Sequence, residues 1–242
     1  TGHRHYGFMI NGAYAQYCVF HMKSCTVLPD GIQYKEAAMC DTGGVALHGV
    51  EIAGIIPGST VAVIGPGPIG IMAMKLSRAM GAARVIVVGR GTRLESAQKL
   101  GCKETVDFTK EDPVAAVRKL TDELGVDVCF ECSGANGTIA QAVKMCRKGG
   151  RVVLLGVPAV EHDEPIPFKY IAHNEIMISG SRANPNESWK LLNMIKYGNI
   201  DVKDMVTHTF PLEDMAKAMD VFVGRKEKVM KVVIYPNGGE DA

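Results

Sequence analysis

Between residues 60 and 182 short, almost purely apolar runs alternate with longer segments whose apolar residues recur every three to four positions. The short runs, Val61–Ile64, Arg84–Val88, Thr105–Phe108, Asp127–Cys132, Arg151–Leu155 and Ile176–Ser179, have the length and branched-residue content of strands buried on both faces. The periodic segments between them predict helices near Ile69–Met80, Leu94–Leu100, Pro113–Leu124 and Thr138–Cys146. Strict alternation of this kind predicts an α/β fold built on a doubly wound parallel sheet, and six strands make two mononucleotide-binding halves. The flanks differ. Tyr6–Ile10 and Ala13–Phe20 are β-like and joined by Asn11-Gly12, a hairpin signal. Helices are predicted at Gly43–Ile55, Glu187–Tyr197 and Leu212–Val223, the last with Leu212, Met215, Ala216, Met219 and Phe222 on one face, and a strand at Val229–Tyr235. There is no internal repeat and no low-complexity linker.

The first strand runs directly into Gly65-Pro66-Gly67-Pro68-Ile69-Gly70 and then into a helical pattern. That order suits a dinucleotide pyrophosphate resting on a helix N-terminus. Gly65 permits the tight turn, Gly67 lets backbone approach the phosphates, and Gly70 lets the helix pack close to the strand. Pro68 and Ile69 occupy the first turn, where the missing N–H of proline costs nothing. A plain Gly/Pro turn has the same composition; the flanking strand and helix favour the dinucleotide. The second strand of such a unit usually ends in Asp or Glu, which bonds the ribose 2′-OH of NAD. Here Gly89, Arg90 and Arg93 stand in that region instead. Guanidinium donors match a 2′-phosphate, which a carboxylate would repel. The residues therefore point to NADP(H), with NAD(H) second; the alternative is that both arginines are solvated surface charges.

A net charge of +1 gives no electrostatic argument for nucleic acid or an anionic membrane. The apolar runs are far shorter than the ~20 residues of a spanning helix, and no signal-peptide pattern opens the chain. Seven scattered cysteines suit reduced thiols in a cytoplasmic protein better than a disulfide framework. Cys129 and Cys132 form a C-x-x-C inside a strand-like run, which reads as buried small apolar residues rather than a zinc or redox site.

Several ordered segments extend the picture: Asp41-Thr42-Gly43-Gly44, Pro57-Gly58-Ser59-Thr60 ahead of the glycine turn, Glu131-Cys132-Ser133-Gly134, Gly149-Gly150-Arg151 through Leu155-Gly156-Val157-Pro158, Phe210-Pro211-Leu212-Glu213 and Lys228-Val229-Met230-Lys231. As a set they resemble the medium-chain, zinc-dependent alcohol dehydrogenase superfamily, in its secondary-alcohol, threonine and polyol dehydrogenase branches. The resemblance implies remnants of a GroES-like, β-rich substrate domain at residues 1–41 and 183–242, flanking a Rossmann domain at 42–182. It also implies a fragment that starts after the first zinc ligands and is inactive alone, with no catalytic residue assignable.

Further implications concern single residues. Asp41 matches a third zinc ligand position, although Asp before Thr-Gly-Gly at a helix start is also an ordinary N-cap. Zinc would belong to the complete parent enzyme and is doubtful in this chain. His48 reads as a helix-packing residue. Ser133 matches a position near the cofactor riboses, and Leu155, Gly156 and Val157 match the segment beside the nicotinamide carboxamide. Lys231 and Arg182 match basic residues that reach the phosphates, with solvated cations as the alternative. The implied activity is NADP(H)-linked hydride transfer between a small alcohol and its ketone, in a homo-dimer or homo-tetramer joined through the sheet edge at Ile176–Ser179. The competing readings are an NAD-dependent polyol or threonine dehydrogenase and a non-catalytic nucleotide-binding or scaffold module.

Overall fold

The computed structural model describes residues 5–161, 163–224 and 228–238. Six strands, β1 (Thr60–Ile64), β2 (Arg84–Gly89), β3 (Glu104–Asp107), β4 (Val126–Glu131), β5 (Cys146–Leu154) and β6 (Met177–Gly180), form one sheet in the order β3-β2-β1-β4-β5-β6. All pairs are parallel, with Val61 opposite Val85 and Val128, and Val152 opposite Ile178. Strand order reverses between β1 and β4, so a crevice opens at their carboxyl ends, the usual ligand position in such sheets. The doubly wound α/β expectation holds.

Alternate residues of each strand feed two cores. Val61, Val63, Val85, Val87 and Phe130 face a layer of α2 (Cys40–Ala53), α3 (Pro68–Ala79), α4 (Gly91–Lys99) and α8 (Ser188–Lys196). Ala62, Ile64, Ile86, Val88 and Cys129 face α5 (Pro113–Leu120) and α6 (Thr138–Met145). The Cys129 thiol is fully buried, and burial pushes it well above the usual thiol range, in keeping with an apolar role for the C-x-x-C. Outside this body, α1 (Tyr34–Ala37) leads into α2, and β7 (Val206–Pro211) pairs in parallel with β8 (Lys231–Tyr235) around α9 (Met215–Gly224).

The structure departs from the sequence reading in four places. No hairpin forms over Tyr6–Phe20: a turn at Gly7–Met9 is closed by a single Tyr6–Ile10 bridge, and residues 13–17 are bends. A β-like run becomes a strand only with a partner, and here Phe8, Tyr17 and Val19 stay more than nine-tenths exposed. The helix predicted over Leu212–Val223 starts only at Met215, after a 3-10 turn at Leu212–Asp214, and its apolar face stays open: Met219 and Phe222 are nearly half exposed and only Ala218 of α9 is buried. Two elements were unforeseen: β7, and α7 (Phe168–Asn174) in the crossover between β5 and β6.

Candidate functional site

The turn after β1 is built from backbone. Gly65 takes φ +96, and its N–H donates to the Val88 carbonyl at 2.9 Å, tying the end of β1 to the end of β2. Pro68 opens α3, and no side chain caps that helix. A Cβ at Gly70 would stand 2.1 Å from the Gly65 carbonyl oxygen, so only glycine lets the helix start this close to the strand. The uncapped first-turn N–H groups of α3 carry the positive end of the helix dipole, an arrangement suited to a phosphate.

Beside the turn lies a groove of about 730 Å³. Gly65, Gly89, Arg90, Arg93 and Ser133 all line it. Gly89, the last residue of β2, packs against Pro66; a Cβ there would lie 2.4 Å from the proline ring, leaving no room for Asp or Glu. The Arg90 guanidinium sits 5.6 Å from the centre of the Phe108 ring. Arg93 reaches back to the glycine turn, its Nη1 lying 3.8 Å from where a Cβ of Gly67 would be. Arg90 is also the extended N-cap of α4, which again has no side-chain cap. The start of α4 and two guanidinium groups thus meet at one groove, with the start of α3 beside it.

The remaining predicted residues fall into separate places. Ser133 donates from its N–H and its hydroxyl to the Glu131 carboxylate. Leu155 is buried, Gly156 is half-buried and Val157 is 85% exposed. The N–H groups of Leu155 and Gly156 both donate to the Glu131 carbonyl at 2.8 Å. This segment therefore has the Val157 N–H and its carbonyls left to offer a ligand. Arg182 is exposed on the segment linking β6 to α8. Lys231 projects from β8 to α2, where its ammonium donates to Thr42 Oγ1 at 2.9 Å. Burial pushes the Lys231 ammonium below the usual lysine range, opposed by the nearby Asp41 charge. The fold thus brings Lys231 and Asp41 together at the start of α2.

Asp41 is exposed in the first turn of α2. It is not the N-cap: the helix begins at Cys40, Met39 holds the cap position, and no side chain caps it. Its carboxylate still complements the helix dipole from the second helical position. A catalytic zinc needs about three protein ligands. Among the described residues, Asp41 belongs to no group of three His, Cys, Asp or Glu donors. The neighbouring Cys40 thiol is pushed up to about 11 by burial, which disfavours the thiolate a metal requires. The residues present therefore do not make a zinc shell at Asp41. One group of three does exist elsewhere: His48 and Glu51 on α2 with Glu187 ahead of α8, their ligand atoms within 4.8 Å of one another. The Lys190 ammonium already bridges its two carboxylates at 2.7 Å each. His48 thus lies at a charged seam between α2 and α8.

Sequence reading missed Phe108 and Glu131 as site residues. An aromatic just past a strand's carboxyl end and an acid closing an apolar strand were the available signals.

The sequence profile of the zinc-binding dehydrogenase family matches residues 68–196, just over half of the chain. A sorbitol dehydrogenase of Bacillus subtilis (strain 168) is 32% identical over 229 residues, which are 94% of this chain and 65% of that protein. An L-threonine 3-dehydrogenase of Bacillus licheniformis is 33% identical over 238 residues, 95% of this chain and 66% of the relative. The chain thus spans about two thirds of the length of the curated relatives it matches. Among solved structures, a Sinorhizobium meliloti 1021 protein described as a zinc-binding dehydrogenase bound to NADP superposes with a TM-score of 0.89 at 30% identity, covering 96% of this chain and 68% of that one. The alcohol dehydrogenase TADH from Thermus sp. ATN1 gives 0.80 at 29% identity, covering 86% and 60%. No helix among the described residues is long and apolar enough to cross a membrane. Profile, relatives and sheet topology agree: the chain belongs to the zinc-binding dehydrogenase family.

Proposed function

We propose that this chain is the cofactor-binding part of an NADP(H)-dependent oxidoreductase that moves hydride between a small-molecule alcohol and its ketone. One observation carries the cofactor choice: Arg90 and Arg93 line a groove whose β2 end has no room for a carboxylate. The NADP in the Sinorhizobium meliloti structure supports the same reading.

In this reading the first turn of α3, with Gly65, Gly67, Pro68, Ile69 and Gly70, holds the pyrophosphate. Arg90, Arg93 and the start of α4 next to Gly89 take the 2′-phosphate. Phe108 holds the Arg90 guanidinium over its ring face. Ser133 stands beside a ribose, and Leu155, Gly156 and Val157 border the nicotinamide. Lys231 and Arg182 approach the phosphates from the C-terminal side, which requires Lys231 to leave Thr42. When bound, the cofactor supplies the hydride donor or acceptor at its nicotinamide ring. The chain's own residues bind and orient it, and no catalytic residue is assigned. Asp41 is a single donor at a zinc ligand position, and no step of this reading passes through zinc.

The same reading divides the chain at residues 1–41, 42–182 and 183–242. It places the molecule in the cytoplasm with its seven thiols unpaired, and joins copies into a homo-dimer or homo-tetramer through the half-exposed edge strand β6.

A second reading, an NAD-dependent polyol or threonine dehydrogenase, draws on the sorbitol and threonine dehydrogenases among the relatives. A third is a nucleotide-binding or scaffold module without catalysis, against which the acid at the Asp41 zinc-ligand position speaks. Parallel titration with NADPH and NADH separates the first two. NADPH should bind at least about tenfold more tightly, a difference of about 1.4 kcal/mol. Replacing Arg90 and Arg93 together by alanine should raise the NADPH dissociation constant and leave that of NADH nearly unchanged. Equal affinities, or equal effects on both cofactors, would refute the 2′-phosphate assignment. Weak binding of both would refute both cofactor readings and leave only a scaffold module.

A further inference from the structure

Glu131 closes β4 as a fully buried acid, 2% exposed, and among the described residues no cation pairs with it. A buried carboxylate is costly unless donors surround it. Here Ser133 gives its N–H at 2.9 Å and its hydroxyl, and the Gly134 N–H lies 3.1 and 3.2 Å from the two oxygens. Every one of these bonds has the carboxylate as acceptor. The main-chain carbonyl of the same residue takes the N–H groups of Leu155 and Gly156. One residue therefore joins the turn after β4 to the loop after β5.

The junction has no slack. A Cβ at Gly156 would lie 2.3 Å from Glu131 Oε2 and 2.3 Å from the Gly134 nitrogen. Gly134 has φ +62, and a Cβ there would lie 2.5 Å from the Val157 carbonyl oxygen. The two segments so locked are those the proposed function sets against the ribose and nicotinamide.

We infer that Glu131 is a positioning residue for the nicotinamide half of the dinucleotide, acting through the Ser133–Gly134 turn and the Leu155–Val157 loop it clamps together. The inference rests on the dinucleotide reading above. Ser133 also lines the groove of Arg90 and Arg93, but the charges for the 2′-phosphate are on the two arginines, so loss of the clamp should weigh far more on the nicotinamide half than on the adenosine half.

Glu131→Gln keeps shape and volume. It turns one acceptor oxygen into an NH2 donor facing the Gly134 N–H. The experiment compares NADPH with 2′,5′-ADP, which carries the 2′-phosphate but no nicotinamide, on wild type and variant. NADPH affinity should fall about tenfold, the scale of one lost charge-assisted hydrogen bond, while 2′,5′-ADP affinity stays within about twofold. The fluorescence enhancement of the bound reduced nicotinamide should shrink. A loss shared equally by both ligands means a general structural role and overturns the inference; so does unchanged NADPH binding with unchanged fluorescence. Failure of wild type to bind either ligand overturns the dinucleotide reading itself, a different outcome. If Glu131→Gln does not fold, Gly156→Ala presses on the same junction from the β5 side, and retention of full NADPH affinity there overturns the inference.

Discussion

Gly70→Ala sets two effects of opposite sign against each other. Helix propensity favours alanine by about 1 kcal/mol. Against that, the new Cβ would lie 2.1 Å from the Gly65 carbonyl oxygen and 3.2 Å from both the Gly65 carbonyl carbon and Val63 Cγ1. Comfortable contact between such atoms is about 3.5 Å, so turn and helix must separate by about 1 Å. The obstacle is backbone, fixed by the positive φ of Gly65 and its bond to Val88, and it cannot rotate away as a side chain could. Overpacking costs about 1–3 kcal/mol, and a backbone clash belongs at the upper end. The net effect is destabilisation by about 2 kcal/mol. For a chain of this size that lowers Tm by about 4–8 °C. Thermal melts of the ligand-free protein against wild type read it. NADPH binding should weaken as well, since the first-turn N–H groups of α3 would be displaced. A Tm equal to or above wild type would show that helix propensity wins and that the close approach is not tight.

Phe108→Leu removes the ring under Arg90 and should narrow the NADPH-over-NADH preference by about two- to fivefold, the size of an exposed cation–π contact; an unchanged ratio of dissociation constants would mean that the ring does not hold the guanidinium. Asp127 accepts from the Thr60 N–H at 2.7 Å and from Arg147 Nε at 2.6 Å, so Asp127→Ala should cost about 1–2 kcal/mol after discounting for partial exposure, read as a lower denaturant midpoint. At pH 7.5 iodoacetamide should label the exposed Cys18 and Cys25 first by mass spectrometry, with the buried Cys102, Cys129 and Cys146 resisting until the chain unfolds. Burial holds the folded Cys40 thiol up at about 11 against an ordinary 9, so its contribution to stability is full below pH 9 and lost as pH rises toward 11. Cys40→Ala should therefore flatten the alkaline fall in stability, and an unchanged slope would refute the assignment.

The sheet was legible because its strands are buried on both faces, which leaves short, nearly continuous apolar runs such as Val85–Val88. The glycine turn was legible because backbone geometry, rather than side-chain packing, selects its residues. Where a segment's fate depends on a partner, local pattern failed: Tyr6–Phe20 alternates like a hairpin and finds no ladder. The α7 segment buries none of its seven residues fully, so it leaves no periodic stripe. For β7 a signal existed, since Val206, His208 and Phe210 alternate with Thr207 and Thr209 and are the more buried set. Predicted site residues were gathered unevenly. The groove unites those that sit on the ends of β1, β2 and β4, whereas Lys231 was diverted to Thr42, a destination that depends on how β8 docks and that no local spacing encodes.

That docking has a consequence for how the molecule is made. The Lys231–Thr42 bond joins residues 189 positions apart, with the whole six-stranded sheet between them in the sequence. A contact of such span carries a large loop-closure cost in an unfolded chain, and it is affordable only once the intervening sheet has shortened the path. It also cannot exist until Lys231 has left the ribosome, about fifty residues after the last strand of the sheet, β6. The opening turn of α2, with Asp41 in it, is therefore completed only after the sheet. A nascent chain would acquire its nucleotide groove well before that turn gains its final electrostatic setting.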